Sequence, residues 1–243
     1  TTPFTWAFRA REDLLNIFEL VTGARQMYNY LRIGGVKQDI PEEFPALVEQ
    51  FFSTVLEEFI KNYEILLVKN PIFVVRSKGV GVLAPEVGLA YAASGPFLRA
   101  SGPRMDLRVS EPYSVYDRFT FEVPTGSNGD CFDRAVARLA EIRESMKIVR
   151  QALDQIPAGE IRAKTPKVIK VPAGEVYTAV ESARGEMGVY LVSDGGTSPY
   201  RLKWRSPSFV NLSTLSELVK GTKLADFIAI LGSIDIILGE VDR

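Results

Sequence analysis

The chain has 243 residues, 46% hydrophobic and 24% charged, with a formal net charge of −1. That length buries a sizeable core without disulfide or metal staples, and the balance excludes a largely disordered chain or a collagen-like fibre. With 29 basic and 30 acidic residues there is no strongly basic field to hold nucleic acid by its phosphates.

A helix is expected from about Thr5 to Leu31, because Leu14, Phe18, Val21, Tyr28 and Leu31 recur at helical spacing and Gly34-Gly35 can end it. Pro41-Glu42-Glu43 opens a second helix with carboxylates at its positive end. Its buried face is Val48, Phe52, Leu56, Phe59, Tyr63 and Leu66, and it runs to about Val68. Ile72 to Val82 is β-branched and broken by Gly79 and Gly81, which predicts a short strand and a turn. A short helix from Pro85 to Ala93 should stop at Gly95-Pro96. Residues 97–128 read as a long irregular loop, the kind that carries function or wraps a neighbour.

The clearest helix starts near Gly129, with Asp130 as its cap. Phe132, Val136, Leu139, Ile142, Met146, Val149, Leu153 and Ile156 step by three or four until Pro157 and Gly159. Pro157 to Pro172 reads as a linker or surface loop. Three strands follow, at Glu175–Val180, Gly188–Ser193 and Tyr200–Arg205, with Asp194-Gly195-Gly196 turning between the last two. Two short helices are expected near Leu212–Lys220 and Leu224–Leu231, before an irregular tail from Ser233. The fold class is therefore α+β and predominantly helical, with a small antiparallel sheet late in the chain. Its expected parts are 1–160, a helical region including loop 97–128, and 161–243, the sheet with C-terminal helices and tail.

Candidate chemistry is sparse. There is no histidine, which excludes a Ser-His-Asp triad, a Cys-His pair and His-ligated zinc. Cys131 is the one cysteine, so no internal disulfide or four-thiolate iron–sulfur site can form, and any redox metal belongs to a partner chain. Gly79-Val80-Gly81 and Gly34-Gly35 match neither GxGxxG nor a P-loop. Arg201, Lys203 and Arg205 share one strand face, as an anion site or an ordinary solvated face. Arg184-Gly185-Glu186 is a reactive ion pair or a turn before a strand. Gly129-Asp130 is an anion site or a helix cap. Asp235 interrupts the apolar run Ile234 to Leu238 and, if buried, needs a partner. The most apolar stretch, Leu224 to Gly239, is broken by Asp226 and Asp235 and falls short of the roughly 20 residues of a membrane span. The opening Thr1-Thr2-Pro3 has no initiator methionine and no signal-peptide pattern, which reads as a processed, trimmed or partial chain.

Blocks along the whole chain carry a resemblance. They include Thr22-Gly23-Ala24-Arg25, Tyr30 to Val36, Gly79 to Val82, Leu98 to Gly102, Gly129 to Arg134 and Arg184-Gly185-Glu186. Ser193-Asp194-Gly195, Pro199-Tyr200-Arg201, Arg205-Ser206-Pro207-Ser208-Phe209 and Gly232 to Arg243 complete it. Together they resemble the 49-kDa subunit family of respiratory NADH:quinone oxidoreductase, complex I. The resemblance implies the helical-bundle fold of the [NiFe]-hydrogenase large subunit. Here Asp235-Ile236-Ile237-Leu238 stands where hydrogenases have cysteines, so a Ni–Fe centre has no thiolate ligands. It further implies a quinone cavity beside the terminal iron–sulfur cluster of a partner subunit. Phe4, Phe8, Asp235, Ile237 and Arg243 match cavity-wall positions, and Arg201 and Arg205 lie in blocks near the cavity or cluster side. The plainer reading of Phe4 and Phe8 is helix-start core.

Quinone would be substrate, and no cofactor would be bound by this chain alone. NADH would be used through other subunits of the complex. Partners would be the iron–sulfur subunit, other peripheral-arm subunits and membrane-arm subunits, on the cytoplasmic or matrix side of the membrane. Family members carry a further N-terminal region with a Gly-Pro-x-His-Pro loop and a tyrosine for the quinone headgroup, and more residues near Lys170-Val171. The alternatives are a non-catalytic assembly module docking through loop 97–128, or the equivalent component of a ferredoxin- or F420-dependent enzyme.

Overall fold

Helix α1, Thr2–Thr22, ends where Gly23 turns into the left-handed region at φ 78°. The computed structural model describes residues 2–242. The helix is shorter than its periodicity predicts, stopping before Leu31. Thr22 donates back to the Phe18 carbonyl at 2.8 Å, and Arg25 folds onto Glu12 and Glu19. Tyr28 still reaches Phe18, with ring centroids 5.1 Å apart, so the aromatic spacing that suggests helix reports a loop folding back. Gly34-Gly35 serve a hairpin instead, pairing β1, Leu31–Arg32, with β2, Gly35–Val36.

From Phe44 to Val68 the chain is helical throughout, as expected, but not uniformly α. Helix α2, Phe44–Gln50, and helix α3, Glu57–Tyr63, are each followed by a wider turn, Phe51–Leu56 and Glu64–Val68. There the bonds run five residues back, as from Glu57 N–H to the Phe52 carbonyl. Each wide turn advances the buried face by about one residue. Phe51 and Phe52 are buried one α turn on from Val48, the advance after the first wide turn brings Ile60 into the core, and Leu56, Phe59, Tyr63 and Leu66 are half-buried. These elements form one compact unit, residues 1–70 with 149–168. Within it Arg150 grips Glu49 with two 2.9 Å bonds and stacks over Phe52.

The second unit comprises residues 71–148 and 169–243, so the grouping is discontinuous along the chain. Its first element corrects an expectation: Pro71–Ser77 is helix α4, not a strand. Pro71 presets the first helical turn, Ser77 donates to the Phe73 carbonyl at 2.6 Å, and Gly79 ends the run, overriding the β-branched side chains. Helix α5, Pro85–Ala90, matches its prediction, whereas Gly95-Pro96 starts helix α6, Gly95–Arg99, rather than only stopping a helix. The expected loop 97–128 contains the end of α6, helix α7 at Leu107–Ser110 and a single tight turn at Tyr116–Arg118. Its start is core: Phe97 and Leu98 are fully buried.

Helix α8, Cys131–Asp154, is the long helix the periodicity requires. Asp130 caps it by accepting from Asp133 N–H at 2.8 Å and also from Gly79 N–H at 2.8 Å. Strands β3, Gly174–Ser182, β4, Gly185–Ser193, and β5, Arg201–Arg205, form an antiparallel sheet in sequential order. Helices α9, Pro207–Leu212, α10, Leu215–Leu218, and α11, Leu224–Ile234, follow. The expected irregular tail contains one further turn, α12, Leu238–Val241. The core of this unit is Leu83, Ala93, Phe97, Leu98, Cys131, Leu218, Ile230 and Ile234. The α+β class holds.

Candidate functional site

Among the described residues two guanidiniums are fully buried, those of Arg99 and Arg134. Arg134 donates to the carbonyls of Gly81 and Gly129 at 2.6 and 2.8 Å and to Ser233 Oγ at 2.8 Å, and it stacks on Phe97. Burial pulls it below its ordinary pKa. Arg99 donates to Glu141 and Glu181 at 2.8 and 2.7 Å and to the Met105 carbonyl at 2.8 Å. Asp106 closes this network with a two-pronged bond to Arg108 at 2.9 and 2.6 Å. Burial alone would lower the Arg99 pKa, but Glu141 and Glu181 outweigh it and hold it raised. Burial dominates at Glu141, whose carboxyl is raised despite Arg99.

This network lines a cleft of about 390 Å³ whose walls include Arg108, Arg138, Glu141, Glu181 and Asp235. Asp235 ends α11 in the left-handed conformation, φ 61°. Arg184 bonds its carbonyl and carboxylate at 3.2 and 3.3 Å, and Arg138 reaches its carboxylate at 3.6 Å and the Ile234 carbonyl at 3.2 Å. The apolar-run aspartate is only partly buried, its side chain 41% exposed, yet it still takes two cationic partners. Beyond it, Ile237 is 41% exposed and Leu238 62% exposed, so the tail presents apolar side chains outward.

A second recess, of about 190 Å³, lies under that tail between Met187, Trp204, Arg205, Ser206, Gly239 and Glu240. Here Arg205 donates to the carbonyls of Glu186 and Ala92, both at 2.6 Å. It fastens β4 to the bend after α5. The same bend meets the β3–β4 turn so closely that a Cβ on Gly95 would lie 2.3 Å from the Arg184 carbonyl oxygen. Asn211 spans the junction, accepting from Ser94 N–H at 3.1 Å and donating to the carbonyls of Ser94 and Arg184 at 3.3 and 3.2 Å.

Of the residues named from sequence, Asp235 lines the first cleft, Arg205 lines the recess beside Gly239 and Glu240, and Ile237 follows Asp235 on the exposed tail. Arg201 stands exposed at the start of β5, on the face that carries Tyr190. Phe4 and Phe8 stack edge-on in α1, centroids 4.7 Å apart, and both are too exposed to be core, correcting the helix-start reading. Arg243 lies outside the described residues. Ala183-Arg184 is a tight turn into β4, which starts at Gly185, so the commoner reading of Arg184-Gly185-Glu186 holds, and Arg184 additionally holds Asp235. Sequence reasoning missed Arg138, Asn211, Ser208 and the Arg99 network. Asp106 two residues before Arg108 was the one local signal. Among the described residues no group of three or more His, Cys, Asp or Glu side chains is placed to hold a metal. No helix among them is long and apolar enough to cross a membrane.

These features define an α+β chain whose outward-facing apolar tail is fixed in place by paired charges. The chain belongs to the family described as respiratory-chain NADH dehydrogenase, 49 kDa subunit, matching it over residues 1–170 and 166–243. It is 53% identical to the D subunit of NADH-quinone oxidoreductase from Desulforamulus reducens over 241 residues, covering 99% of this chain and 66% of that one. It is 52% identical to the protein of the same name from Carboxydothermus hydrogenoformans, with the same coverage. It is 50% identical to that from Dehalococcoides mccartyi, covering 100% of this chain and 66% of the relative. The chain thus spans just under two thirds of the length of these curated relatives.

Proposed function

We propose that this chain is part of the component of proton-pumping NADH:quinone oxidoreductase that forms one wall of a quinone-binding cavity. The reading places it in the peripheral arm, on the cytoplasmic or matrix side, beside a partner's terminal iron–sulfur cluster. Its fold kinship would be to the [NiFe]-hydrogenase large subunit. The observation that carries it is the tail: Asp235 is locked in a left-handed turn between Arg138 and Arg184, and Ile237 is presented outward immediately after it.

A wall of this kind gains affinity for a ring and isoprenoid tail by apolar burial. It also keeps water from the ring, so charge changes there are costly and can drive coupled elements. Of the residues named from sequence, Ile237 supplies apolar contact, Asp235 sets the bend of the wall, and Arg205 secures the adjoining recess. Phe4 and Phe8 are exposed and available for apolar contact, whereas Arg201 and Arg243 are assigned on the resemblance alone. The isolated chain would be inactive, because electrons would reach quinone from a cluster on another subunit and NADH would be oxidised elsewhere.

The test is Ile237→Trp in the intact complex. A raised quinone KM or weakened quinone-site inhibition is expected, and unchanged quinone kinetics and inhibitor binding would refute the assignment. A second reading, a non-catalytic assembly module, draws on the sheet face where Val176, Leu202 and Trp204 are 54%, 45% and 46% exposed. Full quinone turnover in a complex rebuilt around this chain would exclude it.

A further inference from the structure

The wall must be held as well as shaped. After Asp235 the chain leaves α11, and among the described residues the backbone–backbone bonds of 236–242 are short-range, such as Glu240 N–H to the Ile237 carbonyl at 3.0 Å. A four-residue helix is marginal by itself, so its position depends on what it is fastened to. The fastening lies at the start of α9. Ser208 Oγ accepts from Ile237 N–H at 3.2 Å. Glu240 accepts from Ser206 Oγ at 3.1 Å and from Ser208 N–H at 3.2 Å, both on one carboxylate oxygen. Ser206 also caps α9 by accepting from Phe209 N–H at 3.3 Å. Ser206 and Ser208 are buried, Ser208 to 1% exposure, so water does not replace these bonds freely. Pro207 between them presets the first turn of α9, which makes the receiving side stiff.

We propose that Ser206, Ser208 and Glu240 form a latch that positions Ile237, making Ser208 and Glu240 positioning residues for quinone binding. This rests on the reading of Ile237 as cavity wall. The latch acts one bond from that residue: the Ser208 hydroxyl fixes the Ile237 peptide, and Glu240 fixes the turn three residues on. With Asp235 clamped at one end and Glu240 docked at the other, the wall segment is held at both ends. Loss of one latch bond leaves Ile237 able to leave its place without unfolding the core beneath, since Ile230 and Ile234 stay buried on α11.

The experiment uses membranes carrying the intact complex with Ser208→Ala, Glu240→Ala, Glu240→Gln or Ile237→Trp. Quinone KM, kcat, inhibitor affinity and NADH oxidation by a water-soluble acceptor are read for each. Ser208→Ala should raise the quinone KM about three- to ten-fold, the weight of one buried hydrogen bond, and Glu240→Ala, which loses two, at least as much. Glu240→Gln keeps the accepting oxygen and should recover most of that, and water-soluble acceptor rates should stay unchanged. A merely structural role would lower the amount of complex and all rates together, leaving KM alone. If Ile237→Trp shifts quinone kinetics while Ser208→Ala and Glu240→Ala leave KM unchanged, the latch is refuted and the cavity-wall reading stands. If Ile237→Trp is also silent, the cavity-wall reading fails and takes the latch with it.

Discussion

Replacing Arg99 by methionine tests how much of the second unit rests on one buried charge. The side chain is 1% exposed, and its partners Glu181 and Glu141 are 4% and 16% exposed. Methionine fills much of the volume but leaves those two carboxylates without their cation; Asp106 keeps Arg108. Removing one member of a buried ion pair costs about 3–5 kcal/mol, because the remaining charge stays desolvated. A chain of this length loses about 2–4 °C of Tm per kcal/mol. The expected fall is therefore about 6–20 °C, measured by thermal unfolding of the chain. Adding Glu181→Gln to Arg99→Met should restore at least about 1 kcal/mol, since the amide tolerates burial better than an unpaired carboxylate. A fall below about 3 °C, or strict additivity in the double variant, would refute the view of Arg99 as the centre of the network.

Acid should act through the same network. At Asp106 burial works to raise the carboxyl pKa, but the Arg108 bonds and Arg99 prevail and hold it below the ordinary value. A depressed folded pKa gives stability above the unfolded pKa that is lost as pH falls through the folded one. Tm should therefore drop on acidification below about pH 4, and Asp106→Asn should flatten that drop while lowering Tm at neutral pH. Glu141 has the opposite sign: its raised folded pKa gives stability at low pH that is lost as pH rises. Glu141→Gln should accordingly steepen the acid loss in the same titration. Gly95→Ala, with its Cβ 2.3 Å from the Arg184 carbonyl oxygen and φ at 70°, should cost about 2–4 kcal/mol in urea unfolding. Gly79→Ala, at φ 70° but in open space, should cost only about 1 kcal/mol; equal costs would remove the role given to close approach.

The parts legible in sequence are those decided locally. Helix α8 shows an unbroken three-and-four period behind a capping aspartate, and the β3–β5 sheet shows strands separated by turn residues. Helix α4 escapes such a reading because Ile72, Val74 and Val75 favour strands, while Pro71 and Gly79, which win, look like punctuation. The apparent length of α1 comes from Tyr28 and Leu31, whose spacing fits a helix but whose chain folds back. At the site, Asp235 is legible because a carboxylate interrupts an apolar run, although its side chain stays partly exposed and does not strictly need a partner. Which partners it takes is not: Arg138 and Arg184 lie 97 and 51 residues away by their numbers and arrive through tertiary packing. The Ser206-Pro207-Ser208 latch reads locally as a helix start, and nothing near it in sequence names Glu240.

The amide of Asn211 joins positions 117 and 27 residues distant in the chain. A bond between such remote stretches contributes nothing until the bend at Ser94 and the turn at Arg184 have already met, so it belongs to the late part of folding. The tail docks against the helix that carries Asn211, and so it too waits for that junction. During synthesis residues 236–241 therefore stay unfastened until nearly all of these residues have been made. In that interval its apolar side chains are open to wrong contacts, and a neighbour that covers them early would speed maturation.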